Sequence, residues 1–156
     1  MPSFEFHPRA DDLSWHADGM PALMARKLTA DDFTFRYFHT DVVISDGADD
    51  IVLRTPGLPV IDFVLMLVQI HCEVASVGET RVETSKSQDS IRAVRRRDKV
   101  EVSYSFSDAV SEVSLCDFEE IPRSALRVGL QCLYSAHEDL KFNNYLLNLS
   151  AQVGEG

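Results

Sequence analysis

Seventeen residues, Pro59 to Ala75 (PVIDFVLMLVQIHCEVA), constrain this chain more than any other stretch. Twelve of the seventeen are Val, Ile, Leu, Met, Phe, Cys or Ala, and the polar members Asp62, Gln69 and Glu73 lie 7 and 4 apart, on one narrow stripe of a helix. A helix that is apolar around most of its circumference needs cover on several sides, so it belongs at the centre of a small core. It sits at the short limit for crossing a bilayer and is interrupted by Asp62, Gln69, His71 and Glu73, which favours a buried core helix over a membrane span. Pro59 suits the first helical position, where its missing N–H costs nothing and its φ is preset. Gly78 suits a left-handed stop.

The flanks supply the layers that cover this helix. Phe4 and Phe6 alternate with polar residues and predict a short strand ended by Pro8. Residues 9–21 have no clear period, and 21–28 predict a helical turn or two. Residues 1–30 as a whole read as an irregular N-terminal segment, with Trp15 packed on the body of the domain. Phe33, Phe35 and Tyr37 alternate with Thr34 and Arg36 as a strand would, Val42 to Ile44 continue it, and Ser45 to Asp50 form a turn into a return strand at Ile51. Beyond Gly78 the period becomes two, with strands predicted at 79–86, 90–96, 99–106 and 112–117. In 99–106, Val100, Val102, Tyr104 and Phe106 face one way and Lys99, Glu101, Ser103 and Ser105 the other, as in a half-buried antiparallel strand. Arg96 to Asp98 and Ser107 to Ser111 are the expected hairpin connections.

Pro122 again suits a first helical position, so Asp117 to Ile121 reads as a turn. Leu126, Leu130, Leu133, His137 and Leu140 then recur at spacings of 3 and 4, and Phe142, Tyr145, Leu146 and Leu149 restart the pattern. One long helix or two with a bend at 138–144 both fit. Residues 151–156 are expected to fray. The fold class is α+β: a single domain over 1–156, in which one antiparallel β-meander sheet is packed on one face by the central apolar helix and a C-terminal helix.

The net charge is −10, and its distribution is uneven. Residues 1–50 carry ten acids and four bases, 51–110 eight of each, and 111–156 seven acids and three bases. Such a surface repels the phosphate backbone, so nucleic acid is not an expected partner, and it steers a basic protein inward. The opening MPSFEFHPRADD lacks a basic region followed by an apolar run, so no secretory signal is expected and the expected compartment is the cytoplasm.

Motifs for catalysis or cofactors are missing. Cys72, Cys116 and Cys132 include no CxxC pair and lie in apolar patterns, so buried, reduced, structural thiols are expected. His71 and Cys72 are adjacent, and neighbours on a helix point about 100° apart, so His71 is not placed to activate the thiol. The five histidines show no metal-ligand spacing, Asp46 to Asp50 lacks the order of a calcium loop, and the glycines are too dispersed for a nucleotide. No enzyme activity, metal or cofactor is expected. The basic run Arg92, Arg95, Arg96, Arg97 and Lys99 reads as a solvated sheet edge. The acidic groups Asp11-Asp12, Asp31-Asp32, Asp46 with Asp49-Asp50, Glu119-Glu120 and Glu138-Asp139 would, folded onto one side, make a field complementary to a basic protein.

Around Pro59-Val60-Ile61-Asp62-Phe63, followed by the hairpins and the C-terminal helix, the chain resembles the small acidic immunity proteins of bacterial polymorphic toxin systems. In these a strand pair leads through a Pro-Leu-Leu-Asp-Phe-like segment into a helix, then hairpins, then a helix. The likeness is one of layout and composition over residues 33–150 and carries no functional residues across. It implies a non-catalytic protein that binds a toxin's enzymatic domain and blocks its active site. The candidate partner-binding residues, taken from the acidic groups themselves, are Asp31, Asp32, Asp46, Asp49 and Asp50. They would face a basic protein, with the chain itself a monomer or homodimer. Two alternatives stand beside this: a stand-alone interaction or regulatory subunit, and a small-ligand-binding domain with a pocket between helix and sheet lined by Tyr104, Phe106 and Tyr134.

Overall fold

Two antiparallel sheets flank the central helix, where the periodicity predicts one. The computed structural model describes residues 2–47 and 49–155; of Arg54, Thr55, Pro56 and Glu155 it describes the backbone alone. In chain order the elements are β1 (Ser3–Pro8), α1 (Ala22–Lys27), β2 (His39–Ser45), β3 (Asp50–Pro59), α2 (Val60–Val77), β4 (Glu79–Glu83), β5 (Ser90–Arg96), β6 (Lys99–Tyr104), β7 (Ser107–Ser114), α3 (Leu115–Ala136) and α4 (Asn144–Glu155). Strands β1-β2-β3 form one sheet and β4-β5-β6-β7 the other, each in sequence order. The split follows from α2: eighteen residues carry the chain about 27 Å from the end of β3, and the meander that starts there pairs only with itself.

Helix α2 begins immediately after β3, with Pro59 as its cap rather than its first residue. It stops at Gly78, whose φ of 92° and N–H bond to Val74 O at 2.9 Å make the expected left-handed end. By length and composition it passes for a membrane span, yet 44% of it is buried inside the domain, as in a core helix. Phe63 is fully buried, with edge-on contacts to Phe4 at 6.0 Å and Phe6 at 5.9 Å. Helix α3 crosses α2 closely because it offers Gly129 there; a Cβ at that position would stand 2.8 Å from Val60 Cγ1.

Helix α3 starts at Leu115, seven residues before the Pro122 start that the sequence suggests. Ser114 caps it by accepting from Asp117 N at 3.2 Å, and Pro122 lies in its interior. An interior proline is locally unfavourable by about 3 kcal/mol. Here it is buried together with Phe118 and Ile121, and tertiary burial overrides the local preference. Likewise Ser107 to Ser111 belong to β7, not to a connection, and Leu115 to Asp117 are helical. The C-terminal region is two helices separated by a 3-10 segment at 138–142. Residues 151–155, where a frayed tail is expected, are the last turn of α4.

The meander keeps the predicted two faces. Ile91, Ala93, Val100, Val102, Tyr104 and Val113 are buried, while the outer face carries cross-strand ion pairs such as Lys99–Glu112 at 2.8 Å and Arg96–Glu101 at 3.5 Å. The arginine run is solvated, but it lies on β5 and its turn into β6, the two inner strands, and not on an edge. The three thiols are not buried as expected: Cys72 and Cys116 are exposed and Cys132 is half-buried.

Residues 33–37 are not a strand. Asp32 to Arg36 form a wide helical turn closed by the Tyr37 N–H on Asp32 O at 3.0 Å. The Asp32 carboxylate locks it, accepting from Thr29 N at 2.8 Å and Arg36 Nη1 at 2.7 Å. The first thirty residues are also more ordered than their pattern predicts. β1 pairs along its length with β2, and fully buried Asn143 donates to Ala25 O at 2.9 Å and Leu28 O at 3.0 Å while accepting from Leu146 N. One side chain thus closes the end of α1 and the start of α4.

Candidate functional site

At the start of β2 the N-terminal segment folds back to make an open groove of about 520 Å³, walled by Arg9, Asp11, Asp12, Arg36, Tyr37 and His39. Asp12, flanked by a Ser two residues on, is a natural cap for the short turn Leu13–Trp15. It does more than cap. Oδ1 accepts from Ser14 N at 2.9 Å and Ser14 Oγ at 2.6 Å, and Oδ2 accepts from His39 N at 2.8 Å and from His39 Nδ1 at 2.7 Å. Burial pushes the Asp12 carboxyl up, but the bonds from Ser14 and His39 outweigh it and hold the group below the usual carboxylate range.

Around this carboxylate the chain is tied down tightly. Trp15 Nε1 donates to His39 O at 2.8 Å, Phe38 N donates to Ser14 Oγ at 2.9 Å, and the His137 ring bonds Ser14 O. Phe38 is held at φ 64°, a conformation that costs a bulky residue about 1–3 kcal/mol. Its buried ring offsets this in a cluster with Trp15 at 5.1 Å, Phe33 at 6.0 Å and His137 at 5.9 Å. Arg9 reaches across to Asp41 at 2.9 Å and Asp11 at 3.3 Å.

Chemically, Asp12 and His39 have the arrangement of an acid orienting an imidazole, with Nδ1 donating and Nε2 making no hydrogen bond among the described residues. Among the described residues that line the groove, no free nucleophile completes it. The neighbouring Ser14 hydroxyl donates to the Asp12 carboxylate and accepts from Phe38 N, so both of its roles serve the fold. The pair reads as a clasp. Spacing alone could not reveal it, because the partners are 27 residues apart; the one local signal is the cap pattern Asp12-Leu13-Ser14.

The predicted partner-binding residues fall at two ends of β2. In sequence, Asp31 and Asp32 precede its start and Asp46, Asp49 and Asp50 follow its end, and the strand between them is itself about 20 Å long. They also divide by role. Asp32 is held by Thr29 and Arg36; burial pushes it up, but those bonds win and its carboxyl lies below the usual range. Asp46 accepts from Asp49 N at 2.9 Å and from Ser111 Oγ at 2.8 Å, which ties the β2–β3 turn to β7 of the other sheet. Asp31, Asp49 and Asp50 are exposed, and their carboxylates have no hydrogen bond or ion pair among the described residues.

Other candidates resolve simply. The His71 ring packs on Phe118 at 5.8 Å, and Cys72 is exposed. Asp62 is half-buried at the start of α2; burial pushes its carboxyl above the usual range, against bonds from Ser85 and the nearby Lys86. Among the described residues no three His, Cys, Asp or Glu side chains converge to hold a metal. Tyr104, Phe106 and Tyr134 do not line one pocket among those described: Tyr104 borders a small apolar cavity of about 30 Å³ against Phe4 and Phe118, and Tyr134 lines a separate groove between α3 and α4. Comparison with known protein families, curated proteins and solved structures finds no match.

Proposed function

We propose that this chain is a non-catalytic, cytoplasmic protein-binding domain that engages a basic partner through the acidic surface along β2, in the manner of an immunity protein neutralising a toxin's enzymatic domain. The observation that carries the reading is the unengaged state of Asp31, Asp49 and Asp50. Exposed carboxylates without internal partners add little to stability, so their charge is available to something outside the fold. Asp11 and Asp41, partly shared with Arg9, extend the same field at the start of the strand. An interface of ordinary size, about 800 Å² per partner, is wide enough to span both ends of β2. The clasp at Asp12 gives the surface rigid backing, which limits the ordering cost of association. The paired Ser14 hydroxyl beside His39 favours binding over catalysis.

The test is capture from host lysate followed by kinetics on the captured protein. A single basic partner, released by salt, should associate at least ten-fold more slowly with an Asp31→Asn, Asp49→Asn, Asp50→Asn variant at low ionic strength, with a smaller change in dissociation. An unchanged association rate would remove this surface from the account.

A further inference from the structure

A second cavity, larger than the groove at the start of β2, lies elsewhere, in the open cleft of about 840 Å³ between α3 and α4. Its floor is apolar, from Leu126, Leu130 and the ring of Tyr134, and its rim is basic. Residues 111–156 contain three bases, Arg123, Arg127 and Lys141, and all three line this one cleft. Of the acids in that segment, Glu138 is the one on the described lining. In a chain of net charge −10, such segregation of positive charge at an apolar groove needs an explanation beyond solubility.

The three cations are not equivalent. Arg123 Nη1 is shared with both Glu120 oxygens at 3.0 Å, and Lys141 stands 3.8 Å from Glu138. Arg127, exposed on the rim, has no hydrogen bond or ion pair among the described residues. The Arg123 Nε–H is sealed from solvent and has no acceptor among the described residues, a deficit that a small turn of the guanidinium toward an incoming carboxylate would make good. Tyr134 also makes no hydrogen bond among the described residues, and burial pushes its phenol up.

From this we infer that the α3–α4 cleft binds a small organic monoanion, a carboxylate head on an acyl or aromatic body. The head pairs with Arg127, whose planar fork matches a carboxylate, and the body lies on Leu126, Leu130 and Tyr134. One unpaired cation suits one negative charge. A polyanion such as an acidic helix or a nucleic acid would meet the repulsion of the whole chain. This site is separate from the acidic surface along β2 and does not depend on it.

Titration calorimetry with decanoate tests the inference, with decanol as the uncharged control and an acidic amphipathic peptide as the macromolecular alternative. Decanoate should bind saturably, one per chain, with decanol at least ten-fold weaker and amide shifts confined to 123–141 and 150–154. Arg127→Glu with Lys141→Glu should weaken decanoate at least ten-fold while leaving the thermal unfolding midpoint within a few degrees of the parent, which separates lost binding from lost fold. Non-saturable decanoate uptake, equal binding of decanol, equal binding by the charge-reversed variant, or binding of the peptide alone would each overturn it.

Discussion

The groove at the start of β2 and the cleft between α3 and α4 are both open and both rimmed by charge, yet they differ in what the charges are for. At β2 the polar groups turn inward: Asp12 takes four hydrogen bonds, Ser14 has both roles of its hydroxyl engaged, and Arg9 bridges two carboxylates. At the α3–α4 cleft the rim cation Arg127 faces outward with no partner among the described residues. The lesson is that charge density alone does not mark a contact surface. Charges that hold the fold and charges that the fold leaves unused stand within a few residues of each other, as Asp31 and Asp32 do.

That contrast can be broken first at Asp12. Asp12→Ala leaves the Ser14 and His39 amides without their acceptor and should cost about 3 kcal/mol in urea unfolding, from the lost cap and the orphaned donors. A loss under about 0.5 kcal/mol would mean the clasp is ornamental. Next in size is the back of α3. Gly129→Ala should cost about 1–3 kcal/mol although alanine is the better helix former, because its Cβ meets the stiff Val60 side chain. Arg127→Ala, two residues away on the cleft side, should change stability by less than about 0.5 kcal/mol.

A smaller effect of opposite sign is expected at Asp62. Its folded carboxyl lies above the usual range because burial disfavours the charge, so at neutral pH ionised Asp62 opposes folding, and the penalty fades as pH falls through its folded pKa. Asp62→Asn should therefore raise the unfolding midpoint slightly at neutral pH and not at acid pH. Asp12 and Asp32 behave the other way: their folded carboxyls lie low, so the stability they supply is present above the usual carboxylate range and is lost as pH falls through their folded pKa values. The smallest expected effect is kinetic. Cys72 and Cys116 should react promptly with a thiol reagent in the native state, and Cys132 slowly, since burial both covers it and pushes its thiol up.

How much of this was legible beforehand depends on the range of the interactions. Helix α2, its stop at Gly78 and the two faces of β6 follow from periodicity, because each is decided by burial of one face of a regular element. The turn at Asp32 to Arg36 is not legible that way: Phe33, Phe35 and Tyr37 alternate as a strand does, but the Asp32 carboxylate closes a helical turn through Thr29 and Arg36. Pro122 misleads because the burial of its neighbours outweighs a local rule. The single-sheet expectation fails because pattern gives strands without saying which of them meet. The clasp at His39 and the staple at Asn143 join residues 24 to 118 positions apart, which no window along the chain contains. In the candidate site, the acidic groups were visible as residues; their division into engaged and free required the fold.

The most direct test of that division is a side-by-side urea titration of two triple variants, Asp12→Ala with Asp32→Ala and Asp46→Ala, and Asp31→Ala with Asp49→Ala and Asp50→Ala. Each removes the same charge. The first should lose about 3–6 kcal/mol as caps and the inter-sheet tie disappear, and the second should match or slightly exceed the parent in stability as repulsion in an acidic chain is relieved. Equal losses in the two variants would contradict the account, because the carboxylates assigned to a partner would then be holding the fold.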